Sequence, residues 1–222
     1  MQREEIAFFD VDHTISRGAT AVAFMLVCMR HRLISVWYLF AAPVLFVCYR
    51  LFSLKMEFLF AYSLPKLRGV SRDKFEEVAD EAFDRYIKKR LYPGALREIE
   101  ELRRRGVRVI LATSTPFEAV YPLAQYCGLT AADVVATQFA YADDVFQGKL
   151  IGVPVFSKFK CDIIKSFAER NGTDLRNCSF YSDSIHDLPL LLLVGNPVPS
   201  NPDMRLRRIA RKRGWRVKDF SK

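Results

Sequence analysis

The chain has 222 residues, of which 50% are hydrophobic and 27% charged, and its formal net charge is +9. This composition excludes a disordered or collagen-like chain, and the length suits one domain with an insert or two small domains. Nine Lys and Arg residues against a single acid lie in residues 205–222, so almost all of the net charge belongs to this C-terminal segment. The remainder of the chain is nearly neutral.

The cysteines and the N-terminus indicate the compartment. The five cysteines are scattered and include no C-x-x-C pair, so the sequence predicts neither a disulfide framework nor a thiolate zinc site. The first residues carry two acids and lead into a short apolar run, which is unlike a secretory signal. We therefore expect a cytoplasmic protein.

The first part of the chain predicts one buried strand followed by a mainly helical segment. Residues 6–9 form a short apolar run that ends at Asp10, as expected of a buried strand. The polar stretch at 16–20 suggests a hinge. Residues 22–64 are dense in large apolar side chains, and residues 71–90 have the spacing of a charged amphipathic helix.

From residue 92 onward the pattern alternates between helices and strands, which predicts a parallel sheet covered by helices on both faces. The predicted elements are helices at 95–105, 117–127, 160–171 and 187–194, strands at 107–112, 133–137 and 178–182, a hairpin over 139–151, a basic C-terminal helix and a last strand at 215–217. In such sheets, active sites lie beyond the carboxyl ends of the strands.

Reactive polar side chains follow three of the predicted strands. They are Asp10 and Asp12 after the first, Thr113 and Ser114 after the second, and Asp183 and Asp187 after the third. At one edge of a parallel sheet, four carboxylates need a divalent cation and a basic group nearby, and oxygen ligands favour Mg²⁺. A calcium loop is disfavoured because its sixth and twelfth positions would be Ile15 and Ala21. Ser114 and Thr115 offer the same hydroxyl chemistry as Thr113.

These residues carry a resemblance to a known family. The sequence Asp-Val-Asp-His-Thr at 10–14 resembles motif I (DxDxT) of the haloacid dehalogenase (HAD) superfamily, and residues 111–114 resemble motif II. Lys160 has the place of the motif III lysine, and residues 181–189 resemble motif IV of the branch that contains phosphoserine phosphatases. The resemblance extends over residues 6–220.

The resemblance implies an α/β fold, in which a doubly wound parallel sheet carries a mainly helical cap inserted after the first strand. We expect the core at 1–16 and 92–222 and the cap at 17–91. The 17 residues at 33–49 carry no charge. They would belong to the core of the cap or lie on a membrane surface. A single membrane crossing is excluded, because it would separate Asp10 from the later motifs.

The resemblance also implies a Mg²⁺-dependent phosphomonoester hydrolase that works through an aspartyl-phosphate. Asp10 would attack phosphorus, and Asp12 would protonate the leaving oxygen and then activate water. The phosphoryl group would be bound by Thr113, Ser114 and Lys160, and the metal by Asp10, by Asp12 through its backbone carbonyl, and by Asp183 and Asp187, with Asp187 supporting the shell.

Neighbouring residues of the same types compete for some of these roles. Lys158 and Lys165 lie near Lys160, but only Lys160 begins the predicted helix at the family's spacing to motif IV. His13 and His186 lie beside the acids. We expect them to be structural or surface residues.

The substrate and partners are less sharply defined. Residues 17–20 read Arg-Gly-Ala-Thr and lack the Glu with which phosphoserine phosphatases bind the substrate amine. An apolar cap and a basic tail suit a phospholipid such as phosphatidylglycerophosphate. The alternatives are phosphoserine or another small metabolite, or a non-catalytic lipid- or RNA-binding protein on a HAD scaffold. The basic helix would be solvated or bind an anionic membrane at its inner face; nucleic acid is the least expected partner.

Overall fold

The computed structural model describes residues 5–35 and 64–221. We number the helices and strands within these ranges. In chain order they are β1 (Ile6–Phe9), α1 (Thr20–Arg30), α2 (Arg72–Ala82), α3 (Pro93–Arg104), β2 (Arg108–Pro116), α4 (Phe117–Tyr126), β3 (Val134–Ala142), β4 (Val145–Ile151), α5 (Ser157–Arg170), β5 (Cys178–Ser182), α6 (Leu188–Leu191), β6 (Asn196–Pro199) and α7 (Met204–Arg213). A π-helical turn, Phe83–Ile87, continues α2.

The six strands form one sheet in the order β4-β3-β2-β1-β5-β6. All neighbouring pairs are parallel except β3 and β4, which form the predicted antiparallel hairpin. All four residues of β1 are fully buried, because helices cover both faces of the sheet. The α/β architecture predicted from the alternating pattern is therefore confirmed.

Alternating residues of β1 belong to two separate hydrophobic clusters. Ile6 and Phe8 pack in the cluster that contains Ile164 of α5 and Leu206 of α7. Ala7 and Phe9 belong to the other cluster, which includes apolar residues of α1, α2, α3 and α4. This is the two-residue periodicity of a strand buried on both faces, and it places Asp10 directly after the centre of the sheet.

Residues 15–17 and 90–92 lie side by side, where the proposed cap segment leaves and rejoins the core. Ser16 and Leu91 form an isolated β-bridge. The Arg17 N–H donates to the Arg90 carbonyl at 2.7 Å, and the Tyr92 N–H donates to the Ile15 carbonyl at 2.8 Å. These contacts support our proposal of a cap at 17–91 inserted into a core at 1–16 and 92–222.

The described part of the segment packs closely on the hairpin. The Phe75 ring of α2 lies 5.9 Å from Phe24 of α1, 5.4 Å from Phe139 of β3 and 5.6 Å from Phe146 of β4. Most of the uncharged stretch at 33–49 lies outside the described residues. Within residues 5–35 and 64–221, no helix is long and apolar enough to span a membrane.

Several predicted boundaries are wrong for identifiable reasons. The stretch expected to be a hinge ends at the first residue of α1, where Thr20 is buried. Strand β2 continues four residues past its predicted end to Pro116. Strand β6 contains two prolines, which a strand tolerates at the edge of a sheet. The predicted strand at 215–217 does not form; the nearest pairing is a single bridge between Ser200 and Lys218.

Most of the described cysteines are buried. Cys28, Cys161 and Cys178 are buried, Cys127 is half-buried, and none of these four forms a disulfide. Burial raises the pKa of the Cys28 and Cys127 thiols to about 12. Thiols with such pKa values remain protonated near neutral pH and are poor nucleophiles. Cys48 lies outside the described residues.

Candidate active site

A cavity of about 180 Å³ lies at the edge of the sheet where β1, β2 and β5 end. It brings together six of the seven predicted site residues: Asp10, Asp12, Ser114, Lys160, Asp183 and Asp187. The parallel arrangement of β2, β1 and β5 causes this convergence, because their carboxyl ends share one edge.

Backbone pairing between β1 and β5 fixes Asp10 and Asp183 relative to each other. Phe9 pairs with Tyr181, their rings stack at 4.0 Å, and the Asp10 N–H donates to the Tyr181 carbonyl at 2.9 Å. Beyond the strands, the Asp183 N–H donates to the Thr14 hydroxyl at 3.0 Å. Thr14 is the last residue of the DxDxT motif, and its hydroxyl joins the loop after β1 to the loop after β5.

Lys160 is the buried cation of the site. Its side chain is 4% exposed, and its Nζ lies 2.7 Å from Oδ1 of Asp10 and 3.0 Å from Oδ2 of Asp187. Burial by itself would lower the pKa of Lys160, but the two carboxylates raise it above its ordinary value, so the ammonium remains charged. The Ser182 hydroxyl donates to the same Asp187 oxygen at 2.7 Å. Asp187 therefore positions the lysine beside Asp10.

The site has more carboxylates than its single lysine can neutralise. Burial raises the pKa of Asp10 to about 8, with Lys160 opposing the shift and Asp187 and Asp12 adding to it. Burial and the negative charge of Asp187 raise the pKa of Asp183 to about 7. A divalent cation between such groups would favour their ionised forms. The charge balance therefore fits a hard metal ion.

The donor set fits Mg²⁺ if the protein supplies only part of the coordination shell. In the described part of the chain, no group of three or more His, Cys, Asp or Glu side chains is arranged as a complete metal cluster. Asp10 and Asp183 line the cavity and offer carboxylate oxygens. Because Mg²⁺ usually keeps several waters and binds substrate phosphate, two carboxylates and a backbone carbonyl would suffice.

Asp12 is held by the first residue of α1. Its Oδ1 accepts hydrogen bonds from the Thr20 N–H at 2.8 Å and from the Thr20 hydroxyl at 2.7 Å, and its Oδ2 accepts one from the Thr115 hydroxyl at 3.3 Å. These bonds direct both carboxylate oxygens toward α1 and the end of β2. The Asp12 side chain is thus held in one orientation at the cavity, and its backbone carbonyl remains the group expected to bind a metal.

The structure places Ser114, and not Thr113, at the cavity. Thr113 is 1% exposed, and its hydroxyl accepts a hydrogen bond from the Thr115 N–H at 3.2 Å. The sequence predicts a strand that ends at Ala112, which would make Thr113 the first loop residue. Strand β2 continues to Pro116, its pairing with β3 is irregular between Thr113 and Pro116, and of the two predicted hydroxyl residues only Ser114 lines the cavity.

The cavity also includes residues to which the sequence analysis gave no catalytic or binding role. His13 and His186 both line it and are exposed, and the His186 ring lies 6.3 Å from that of Phe156. His13 has a positive φ of 60°, which turns the loop sharply between the two acids and Thr14. His13 and His186 are next to Asp12 and Asp187 in the sequence, and this proximity could have identified them as residues that line the cavity.

Comparison with known proteins gives the same family as the motifs. Residues 7–192 match the family model described as haloacid dehalogenase-like hydrolase. Phosphoserine phosphatase SerB1 of Mycobacterium tuberculosis is 34% identical over 219 residues, which cover 96% of this chain and 70% of the relative. Histidinol-phosphatase of Neisseria meningitidis serogroup C is 29% identical over 163 residues, 72% of each chain.

A solved structure matches along the whole chain. The crystal structure of a protein of unknown function from Bordetella pertussis superposes with a TM-score of 0.89 at 26% identity, covering 99% of this chain and all of the other. The matched region of the family model contains every predicted site residue. The chain therefore belongs to the haloacid dehalogenase-like hydrolases, in the branch of the phosphoserine phosphatases, and is a phosphoric monoester hydrolase.

Proposed function

We propose that this phosphatase hydrolyses a small phosphorylated metabolite with Asp10 as the nucleophile. The observation that carries the proposal is the cavity of about 180 Å³ in which Lys160 lies 2.7 Å from Asp10 and Asp12 lines the same wall. The cavity is large enough to hold a phosphoryl group with a few further atoms.

The residues suggest a two-step reaction. An oxygen of Asp10 attacks phosphorus and forms an aspartyl-phosphate, while Asp12 protonates the departing alcohol oxygen. Asp12 then accepts a proton from the water that hydrolyses the phosphorylated Asp10. Lys160 and the Ser114 hydroxyl stabilise the charge on the phosphoryl oxygens. Mg²⁺ held by Asp10, Asp183 and the Asp12 carbonyl would add positive charge at the same oxygens.

The names of the relatives suggest the substrate class. Phosphoserine and histidinol phosphate, the compounds after which two relatives are named, are both phosphate monoesters of amino alcohols. We propose an amino-alcohol phosphate of this kind, whose amine is bound by a residue other than the Glu that is missing from residues 17–20. The phosphatidylglycerophosphate hypothesis has no support from the described residues or from the relatives, so it serves as a comparison compound in the test.

A panel of phosphomonoesters tests the proposal. Purified protein with Mg²⁺ is assayed for phosphate release from phosphoserine, histidinol phosphate, a simple sugar phosphate and phosphatidylglycerophosphate in mixed micelles. We expect the highest kcat/KM for an amino-alcohol phosphate and loss of turnover in Asp10→Asn and after chelation. A clear preference for the phospholipid would refute the substrate proposal. Turnover by Asp10→Asn equal to that of the wild type would refute the mechanism.

A further inference from the structure

Helix α7 presents an unusual concentration of positive charge to solvent. Its ten residues include six cationic side chains and no acid, and all six are exposed: Arg205, Arg207, Arg208, Arg211, Lys212 and Arg213. Arg213 lies over the Trp215 ring at 5.6 Å. Among the described residues, none of the six forms an ion pair with a carboxylate. The charge is therefore available to a partner.

The helix dipole favours the three cations of the last turn, Arg211, Lys212 and Arg213, but it does not account for Arg205 and Arg207. Leu206 and Ala210 bury one face of α7 in the core, and the Asp203 carboxylate caps its N-terminus by accepting the N–H groups of Arg205 and Leu206 at 2.8 Å. Positive charge favours the C-terminal end of a helix and opposes the N-terminal end. Arg205 and Arg207 lie in or beside the first turn, where the helix dipole disfavours them. A binding role explains their presence better than helix stability.

Exposed aliphatic side chains accompany the charge. Met204, the first residue of α7, is 87% exposed, and Leu192 and Leu193, which follow α6, are 46% and 50% exposed. Leu191, at the end of α6, and Leu206 of α7 belong to the same buried cluster. Sites for single-stranded nucleic acid use aromatic rings on which bases stack. Cations next to exposed aliphatic side chains are instead typical of proteins that bind a lipid surface.

We propose that this basic surface, defined as α7 together with Leu192 and Leu193, binds the face of an anionic lipid bilayer. Each basic residue close to such a bilayer strengthens binding about fivefold, so the six together supply most of the affinity. The apolar side of α7 is buried against the core, so the helix lies on the headgroups and does not insert. Met204 and the two leucines add contacts with the outer acyl region.

Vesicle sedimentation tests this proposal with the full chain. The vesicles contain either phosphatidylcholine alone or phosphatidylcholine with an equal amount of phosphatidylglycerol. We expect sedimentation only with the anionic vesicles, and less of it as salt increases. The triple variant Arg207→Gln, Arg208→Gln, Arg211→Gln should bind about a hundredfold more weakly, since three such contributions are lost. The exposed residues are replaced by a good helix former, so the helix should remain folded.

A second triple variant distinguishes the effect of the charge on α7 from the effect of the net charge of the protein on vesicle binding. Arg97→Gln, Arg104→Gln and Lys165→Gln remove the same charge from exposed positions on α3 and α5 and should leave vesicle binding unchanged. Three results would each overturn the proposal. They are an equal loss of vesicle binding in both triple variants, no sedimentation of the wild type with anionic vesicles at low salt, and α7-dependent binding to single-stranded RNA without vesicle binding. Both triples should hydrolyse a soluble phosphomonoester like the wild type. Vesicle binding and the proposed phosphatase function therefore fail independently.

Discussion

Replacing Lys160 by Met removes the only cation that contacts the buried carboxylates in the described structure. The lysine Nζ lies 2.7 Å from Asp10 and 3.0 Å from Asp187, and the side chain is 4% exposed. Removing one partner of a buried ion pair leaves an uncompensated charge and usually costs about 3–5 kcal/mol. We expect the free energy of unfolding of Lys160→Met to fall by about this amount near pH 7 without Mg²⁺.

The loss should shrink at lower pH. Without the lysine, the pKa of Asp10 rises further, so the folded state binds a proton that the unfolded state has already released. A group with a raised folded-state pKa loses stability as pH increases from its unfolded pKa through its folded pKa. The destabilisation is therefore largest above the folded pKa values and smallest near the ordinary Asp pKa of about 4.

Urea denaturation followed by circular dichroism measures these differences, with two further variants. Lys165→Met is the matched control, because this exposed lysine of α5 pairs weakly with Glu169 at 4.0 Å and should cost less than about 1 kcal/mol. Lys160→Met combined with Asp187→Asn should recover about 1–3 kcal/mol of the loss. A Lys160→Met variant as stable as the Lys165→Met control would refute the electrostatic account of the site.

Three further predictions concern other residues. Ser114→Ala should lower kcat/KM about tenfold to a hundredfold, because it removes a hydrogen bond to a charged phosphoryl oxygen, whereas Thr113→Val should change kcat/KM little. Steady-state kinetics of both variants test this, and a larger effect of Thr113→Val would contradict the placement of Ser114 at the cavity. Asp12→Asn should lower kcat about 10²–10⁴-fold while phosphate still competes for binding, and a kcat near that of the wild type would exclude proton transfer by Asp12. Glu118, buried in α4, has a pKa raised by burial, so Glu118→Gln should stabilise the protein increasingly as pH rises above the ordinary Glu pKa of about 4.3. Thermal unfolding that shows the opposite trend with pH would contradict this.

The acidic part of the site is predictable from the sequence because it depends on the order of elements. An apolar run that ends in Asp10 and another that ends before Asp183 predict neighbouring strand ends once the sheet is parallel, and β1 and β5 do pair in this way. The position of Lys160 depends on the resemblance to the family. No periodicity of the sequence distinguishes it from the lysines at 158 and 165.

The sequence could not choose between Thr113 and Ser114 because strand ends are poorly marked in sequence. The run Thr-Ser-Thr at 113–115 contains three similar residues, and an error of one residue in a strand reverses the face on which a side chain lies. Helix α1 lies in the segment expected to be mainly helical, but its bounds were not predicted. It is apolar on most of its surface and buries Ala23, Phe24 and Val27, so no polar face reveals its period.

The central claim is that Asp10 carries the phosphoryl group during turnover. Rapid acid quenching during hydrolysis of a phosphomonoester, followed by peptide mass spectrometry, tests it most directly. We expect a phosphorylated peptide that contains Asp10, accumulating more in Asp12→Asn and absent from Asp10→Asn. A phosphoryl group on another residue, or phosphate release at the wild-type rate by Asp10→Asn, would contradict the account.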